Sequence, residues 1–243
     1  TQIISGTNIQ KEEIAYYFSK FKTKKEFDIT IPGLLLIDTP GHENFVSLRK
    51  LGSNLCDIAI LIVDIRKGLE KQTIESLKLL MESEVPFVIA LNKVDTLYGW
   101  KSTEGCPFTI SKKNQGQHTL DQLEKLLTQN FVMFAEHGIN AKIYTEVPNF
   151  KEWVPMVPIS AKTKEGFSDL FAVIVKMAEK FVGATKSHEV KGIVIEKYSD
   201  VQGIGNCLDI ILTNGSLHVA DTIYIGQDPI KIKTITFNNH LTK

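Results

Sequence analysis

The chain has 243 residues, 43% of them hydrophobic and 23% charged, a soluble globular composition with length for one large domain or a medium domain plus part of another. Its 28 basic and 28 acidic residues cancel, which argues against a broad polyanion-binding surface and leaves only local patches for nucleic acid. Three scattered cysteines (Cys56, Cys106, Cys207) and six histidines without ligand spacing argue against a disulfide framework or a cysteine-rich zinc site, and fit a reducing compartment. The longest apolar stretch, Ile58–Val63, is flanked by Asp57 and Asp64 and falls far short of the roughly 20 residues of a membrane span. Residues 1–30 carry no apolar signal-peptide core. The first residue is Thr1 rather than Met, so a fragment or processed chain is expected.

From residue 27 to 183, short apolar runs alternate with amphipathic stretches. The runs Leu34–Ile37, Ile58–Val63, Phe87–Leu91 and Val154–Ile159 are nearly continuous in Ile, Val and Leu, as in strands buried on both faces of a parallel sheet. Between them, Ile74, Leu77 and Leu80 form one helical face. Leu120, Leu123, Leu127, Phe131 and Phe134 form a second, with Thr119 and Gln122 spaced as a capping box. Phe167, Leu170, Ile174, Ala178 and Phe181 form a third. This order predicts an α/β fold with a doubly wound, mostly parallel sheet. Tyr98–Gln117, rich in Gly, Ser, Thr and Lys, reads as a surface excursion.

After about residue 184 the helical period disappears. Short β-rich runs at Gly192–Glu196, Cys207–Leu212, Thr222–Ile225 and Ile230–Phe237 are separated by turn signals at Gly203–Gly205, Asn214-Gly215 and Gly226–Pro229. The expected organisation is one domain over 1–184, a linker near Ala184–His188, and the beginning of an antiparallel β-barrel over 189–243.

Three motifs sit where apolar strands end, the position at which open α/β sheets bind ligands. In Asp38-Thr-Pro-Gly41-His42, an acid at a strand end can hold Mg²⁺ and the glycine lets a backbone N–H approach a phosphate oxygen; alone, the motif reads more readily as a β-turn, with His42 a surface turn residue. In Asn92-Lys93-Val-Asp95, a carboxylate can accept from both the N1–H and the 2-amino group of guanine, a donor pair adenine lacks. There Asn92 can brace loops or bond the base, and the Lys93 stem can lie along the base face. In Ser160-Ala161-Lys162, a backbone N–H can donate to guanine O6 and Lys162 can cover the other face of the base. Each motif is weak alone; all three in order, each after a buried strand, are not a chance arrangement.

Together these residues resemble the G domain of translational GTPases, and Asp-Thr-Pro-Gly-His narrows the resemblance to that class. Ile31–His42, Asn54–Asp64, Gly68–Ser76, Ala90–Asp95 with Tyr98 and Trp100, and Gly138–Asn140 resemble the eukaryotic and archaeal translation initiation factor 5B family, related to bacterial initiation factor 2, over nearly the whole chain. The resemblance implies that Asp38 serves Mg²⁺, Gly41 senses the γ-phosphate and His42 orients the attacking water. It also implies that Thr1 is the first-switch threonine that binds Mg²⁺ and the γ-phosphate, and that the residues from Val190 begin the second, β-barrel domain. GTP/GDP and Mg²⁺ are the implied cofactors. The ribosome (both subunits and its RNA) is the implied partner, with initiator tRNA and other initiation factors contacted through further domains, in the cytoplasm and away from membranes.

One feature departs from the family. No G-x-x-x-x-G-K-[ST] phosphate loop occurs in the 243 residues, and the family carries it just upstream of the first switch, where this chain begins. A truncated chain is therefore expected, inactive by itself. The reading is a GTP-hydrolysing initiation factor acting at ribosomal subunit joining. Its alternatives are an elongation-type GTPase delivering aminoacyl-tRNA and a non-catalytic ribosome-binding pseudo-GTPase. The basic cluster Lys20, Lys22, Lys24 and Lys25 and the pair Lys112, Lys113 read as solvated surface, Cys56 as a small buried hydrophobe, and Trp100 and Trp153 as packing residues.

Overall fold

The computed structural model describes residues 5–19, 29–38, 56–182, 190–201 and 205–236. The chain divides into two compact units, Thr1–Gly183 and Ala184–Lys243.

The centre of the first unit is a parallel sheet of β3 (Ala59–Asp64), β4 (Phe87–Asn92), β5 (Ala141–Ile143) and β6 (Val154–Pro158), in the order β3-β4-β6-β5. Side chains alternate across a strand, so β4 sends Phe87, Ile89 and Leu91 to one face and Val88 and Ala90 to the other. The first face is covered by α2 (Lys71–Glu82) and α4 (Gln117–Glu136), through Leu77, Leu80, Leu123, Leu127 and Phe134. The second is covered by α5 (Phe167–Phe181), through Leu170, Val173, Ile174 and Met177. All five residues Phe87–Leu91 are buried, and each contributes on the order of 1–3 kcal/mol of apolar burial. The three expected helical faces are the faces turned to the sheet.

The remaining part of this unit differs from expectation. The run Leu34–Ile37 lies in β2 (Gly33–Asp38), which pairs antiparallel with β1 (Ser5–Gln10) rather than parallel with a core strand. β1 is polar, and main-chain pairing with β2 rather than apolar patterning makes it a strand. Helix α1 (Lys11–Ser19) follows at once and buries Ile14 against Ile29 and Val175 of α5. Among the described residues β2 pairs only with β1, and β3 only with β4. On these strands Leu35 and Ile62 are 48% and 62% exposed.

The expected surface excursion is partly core. It contains α3 (Phe108–Lys113), and Cys106, Phe108, Ser111 and Gln115 are buried. The Trp100 indole stacks on Phe108 with ring centroids 6.3 Å apart. The capping box does not form. Gly116 caps α4 three residues earlier, so Thr119 lies inside the helix, where its hydroxyl donates to Tyr98 O while Gln122 Oε1 accepts from Tyr98 N.

In the second unit, β7 (Lys191–Val201) and β8 (Gly205–Asn214) pair antiparallel with bulges, and β9 (Thr222–Ile225) and β10 (Asp228–Lys231) form a hairpin. Of the run expected at Ile230–Phe237, the described residues are strand only at the start, in β10, and Phe237 lies outside them. The Tyr198 hydroxyl donates to Glu196 and Asp209; those two carboxylates hold its proton and push the phenol pKa up to about 12.

Candidate functional site

Parallel strands end in step, so β3, β4 and β6 present Asp64, Asn92 and Ile159-Ser160 along one carboxyl edge. Asp64 is the register partner of Asn92. Ile159 N donates to Leu91 O, and Val94 N returns the bond to Ile159 O. The loops after β4 and β6 are thereby stitched together before any side chain takes part.

The side chains extend the stitching. Asn92 Oδ1 accepts from Lys93 N at 2.8 Å and from Ala161 N at 2.9 Å, so it spans both loops. The bracing role weighed for Asn92 from sequence is the one the geometry displays. Asp95, half-buried in the short 3-10 turn Val94–Thr96, accepts from Ser160 Oγ through Oδ1 at 2.6 Å. Ser160 Oγ in turn accepts from Thr163 N at 3.1 Å. Asp95 Oδ2 makes no hydrogen bond to the described residues. Ser160 is fully buried, whereas Ala161 and Lys162 are exposed beside it. The structure thus brings Asn92, Lys93, Asp95, Ser160, Ala161 and Lys162 to one place.

Lys93 has φ +72°, in the left-handed region, which redirects its side chain back toward β3. Its Nζ lies 2.8 Å from Asp64 Oδ2. Burial of Asp64 works to raise its carboxyl pKa, but the bonds from Lys93 and from Arg66 N outweigh this and hold it below the ordinary value. The same contact raises the pKa of exposed Lys93. Asp64 is a site residue that the motifs do not reveal; its one sequence signal is an acid closing an apolar run beside Asn92.

Asp38 closes β2 as an exposed carboxylate. Thr1, Gly41 and His42 lie outside the described residues, as does the lysine cluster at 20–25. The described residues contain no group of three or more His, Cys, Asp or Glu arranged for a metal ion. Asp38 is a hard oxygen donor of the kind Mg²⁺ takes, and Thr1, the other ligand expected from sequence, lies outside the described residues. No helix among the described residues is long and apolar enough to cross a membrane.

Chemically, this edge offers a half-buried carboxylate with one oxygen engaged, an exposed backbone at Ala161-Lys162 whose Ala161 N–H is shared with Asn92 Oδ1, and two lysine stems. That set suits a flat heterocycle carrying adjacent N–H donors and a carbonyl. Comparison with known proteins agrees. Residues 4–180 match the family described as the elongation factor Tu GTP binding domain. Eukaryotic translation initiation factor 5B of Homo sapiens is 40% identical over 227 residues, 93% of this chain and 18% of its own length. The probable translation initiation factor IF-2 of Pyrobaculum aerophilum is 43% identical over 199 residues, 80% of this chain and 34% of its own length. The crystal structure of GDP-bound aIF5B from Aeropyrum pernix superposes with a TM-score of 0.79 at 33% identity, over 91% of this chain and 38% of that one. The chain therefore spans about a fifth to a third of the curated relatives it matches. With nearly three quarters of its length inside the matched region, the chain belongs to the elongation factor Tu GTP-binding-domain family.

Proposed function

We propose that this chain is the guanine-reading part of a GTP-hydrolysing translation initiation factor that acts on the ribosome at subunit joining. The observation that carries the proposal is the cross-bracing of Asn92, Asp95, Ser160 and Ala161 at the carboxyl ends of β4 and β6. Asp95 Oδ2 is the acceptor for the guanine N1–H and 2-amino group. The Ala161-Lys162 backbone faces O6, and the Lys93 and Lys162 stems cover the two faces of the base. Adenine presents no donor pair and would leave the carboxylate unpaired. The names of the relatives support a role in translation initiation. The ribosome as partner, initiator tRNA and other factors contacted through further domains, and a cytoplasmic location belong to the same proposal.

In the complete factor, Asp38 and Thr1 would hold Mg²⁺, which supplies charge neutralisation at the β- and γ-phosphates. Gly41 offers its backbone N–H to the γ-phosphate and His42 positions the attacking water. These four assignments rest on the motifs and on the family resemblance. Residues 1–184 form the nucleotide domain and 189–243 belong to a β-barrel domain.

The test uses the complete factor, because the 243 residues carry no phosphate loop. Asp95→Asn should move preference from GTP to xanthosine triphosphate, whose carbonyl replaces the guanine amino group and accepts from the new amide. The change in discrimination should be on the order of 2–4 kcal/mol in competition binding. A mutant that still selects GTP as the wild type does removes Asp95 from base recognition.

A further inference from the structure

The loop that carries Ser160 and Ala161 is closed from behind by a residue with no part in base recognition. Glu165 is fully buried, and among the described residues its carboxylate has no cationic partner. It is satisfied by neutral donors: Thr163 Oγ1 at 2.7 Å, Ser111 Oγ at 2.8 Å, Thr103 N at 3.1 Å and the Trp100 indole N–H at 3.4 Å. Three of these four donors come from the 100–113 segment, and the fourth comes from the base loop itself. A buried charge held this way is tolerated only while its donors stay in place, so the carboxylate enforces the position of both segments.

The backbone repeats the connection. Ser160 N donates to Glu165 O at 3.0 Å and closes the loop; Gly105 N donates to Thr163 O at 2.8 Å, and Gly166 N to Cys106 O at 2.9 Å. Gly166 has φ +75°, and a Cβ there would lie 2.3 Å from Pro158 O, so the loop is pressed back onto β6. Further along, Phe108 N donates to Asp169 Oδ2 and the Tyr144 hydroxyl to Asp169 Oδ1, each at 2.7 Å, which fastens α3 to the first turn of α5. The path from the segment to the base is therefore short: Ser111 and Trp100 to Glu165, Glu165 to Thr163, Thr163 to Ser160 Oγ, and Ser160 Oγ to Asp95.

We propose that Glu165 is a positioning residue for guanine recognition, and that the 100–113 segment is the brace that acts through it. Glu165 touches no base. It fixes the Ser160 hydroxyl, which holds Asp95 Oδ1 and so aims Oδ2. This rests on the guanine-reading assignment of Asp95 made above.

The test is the ratio of GDP to inosine diphosphate affinity in the complete factor. Inosine lacks the 2-amino group, so the ratio reports how well Asp95 is aimed, whereas a merely structural defect weakens both nucleotides alike. Glu165→Gln keeps the shape but replaces one acceptor oxygen with a donor that faces donors. It should narrow the ratio by about tenfold. Ser111→Ala and Trp100→Phe each delete one donor from the brace, at a distance from the base, and should narrow the ratio a few-fold. A folded Glu165→Gln protein with the wild-type ratio overturns the proposal, whatever its melting temperature. Should that variant fail to fold, Ser111→Ala decides by the same ratio. A wild-type factor that binds GDP and inosine diphosphate equally overturns the guanine reading itself, and the brace with it.

Discussion

The two units of this chain use strands in opposite ways. In the first, β4 is covered on both faces and its first five residues are buried, so the loops at its end start from fixed points. In the second, none of the described residues is buried, and Tyr224 is 71% exposed. Two-stranded hairpins of this kind are marginal without a further layer. The contrast teaches where a recognition site can be built. Hydrogen bonds between loops hold geometry only when the strands beneath them cannot move, and the first unit alone meets that condition among the described residues.

The largest effect that would break this contrast is expected from Phe134→Ala. Phe134 is fully enclosed between α4 and the sheet, and the cavity left behind should cost about 3–5 kcal/mol in denaturant unfolding of the first unit. A cost under about 1 kcal/mol would mean that the unit is looser than its burial implies.

A smaller effect is expected at the ion pair between half-buried Asp64 and exposed Lys93. Asp64 has a depressed carboxyl pKa, so its contribution is present above the unfolded value and is lost as pH falls through the folded one. Lys93 has a raised pKa, so its contribution is present below the unfolded value and is lost as pH rises through the folded one. The pair therefore acts between roughly pH 4 and pH 10. Asp64→Asn should lower the melting temperature at pH 7 by at most about 2 °C, with the difference from wild type vanishing toward pH 2. A difference that persists unchanged at pH 2 would trace the effect to the amide rather than to the lost charge.

The smallest effect is expected from Tyr224→Ala in β9, within about 0.5 kcal/mol, because so little of that side chain is removed from water. A cost comparable with that of Phe134→Ala would show that Tyr224 packs far more tightly than its exposure implies, and would erase the contrast.

The same contrast governs how much of the molecule is legible in its sequence. Phe87–Leu91 announces itself because burial on both faces leaves no polar position, and the polar residues following it stand out as a strand end. The pairing of Asn92, Asp95, Ser160 and Ala161 follows from those endpoints. β1 is not legible, because Ser5-Gly-Thr-Asn is held by main-chain bonds that leave no trace in side-chain pattern. Thr119 and Gln122 mislead, because their spacing suits a cap but equally suits two contacts to Tyr98. Glu165 hides because a charged residue between Lys164 and Gly166 reads as a solvated turn, and only the distant Trp100, Thr103 and Ser111 reveal it as interior.

The crowding at Gly166 has a practical consequence. Its positive φ, and the 2.3 Å that would separate a Cβ from Pro158 O, leave no room for any other residue. A library that randomises residues 160–166 should therefore return glycine at 166 in every variant that still folds, whatever it accepts at the exposed positions 161 and 162.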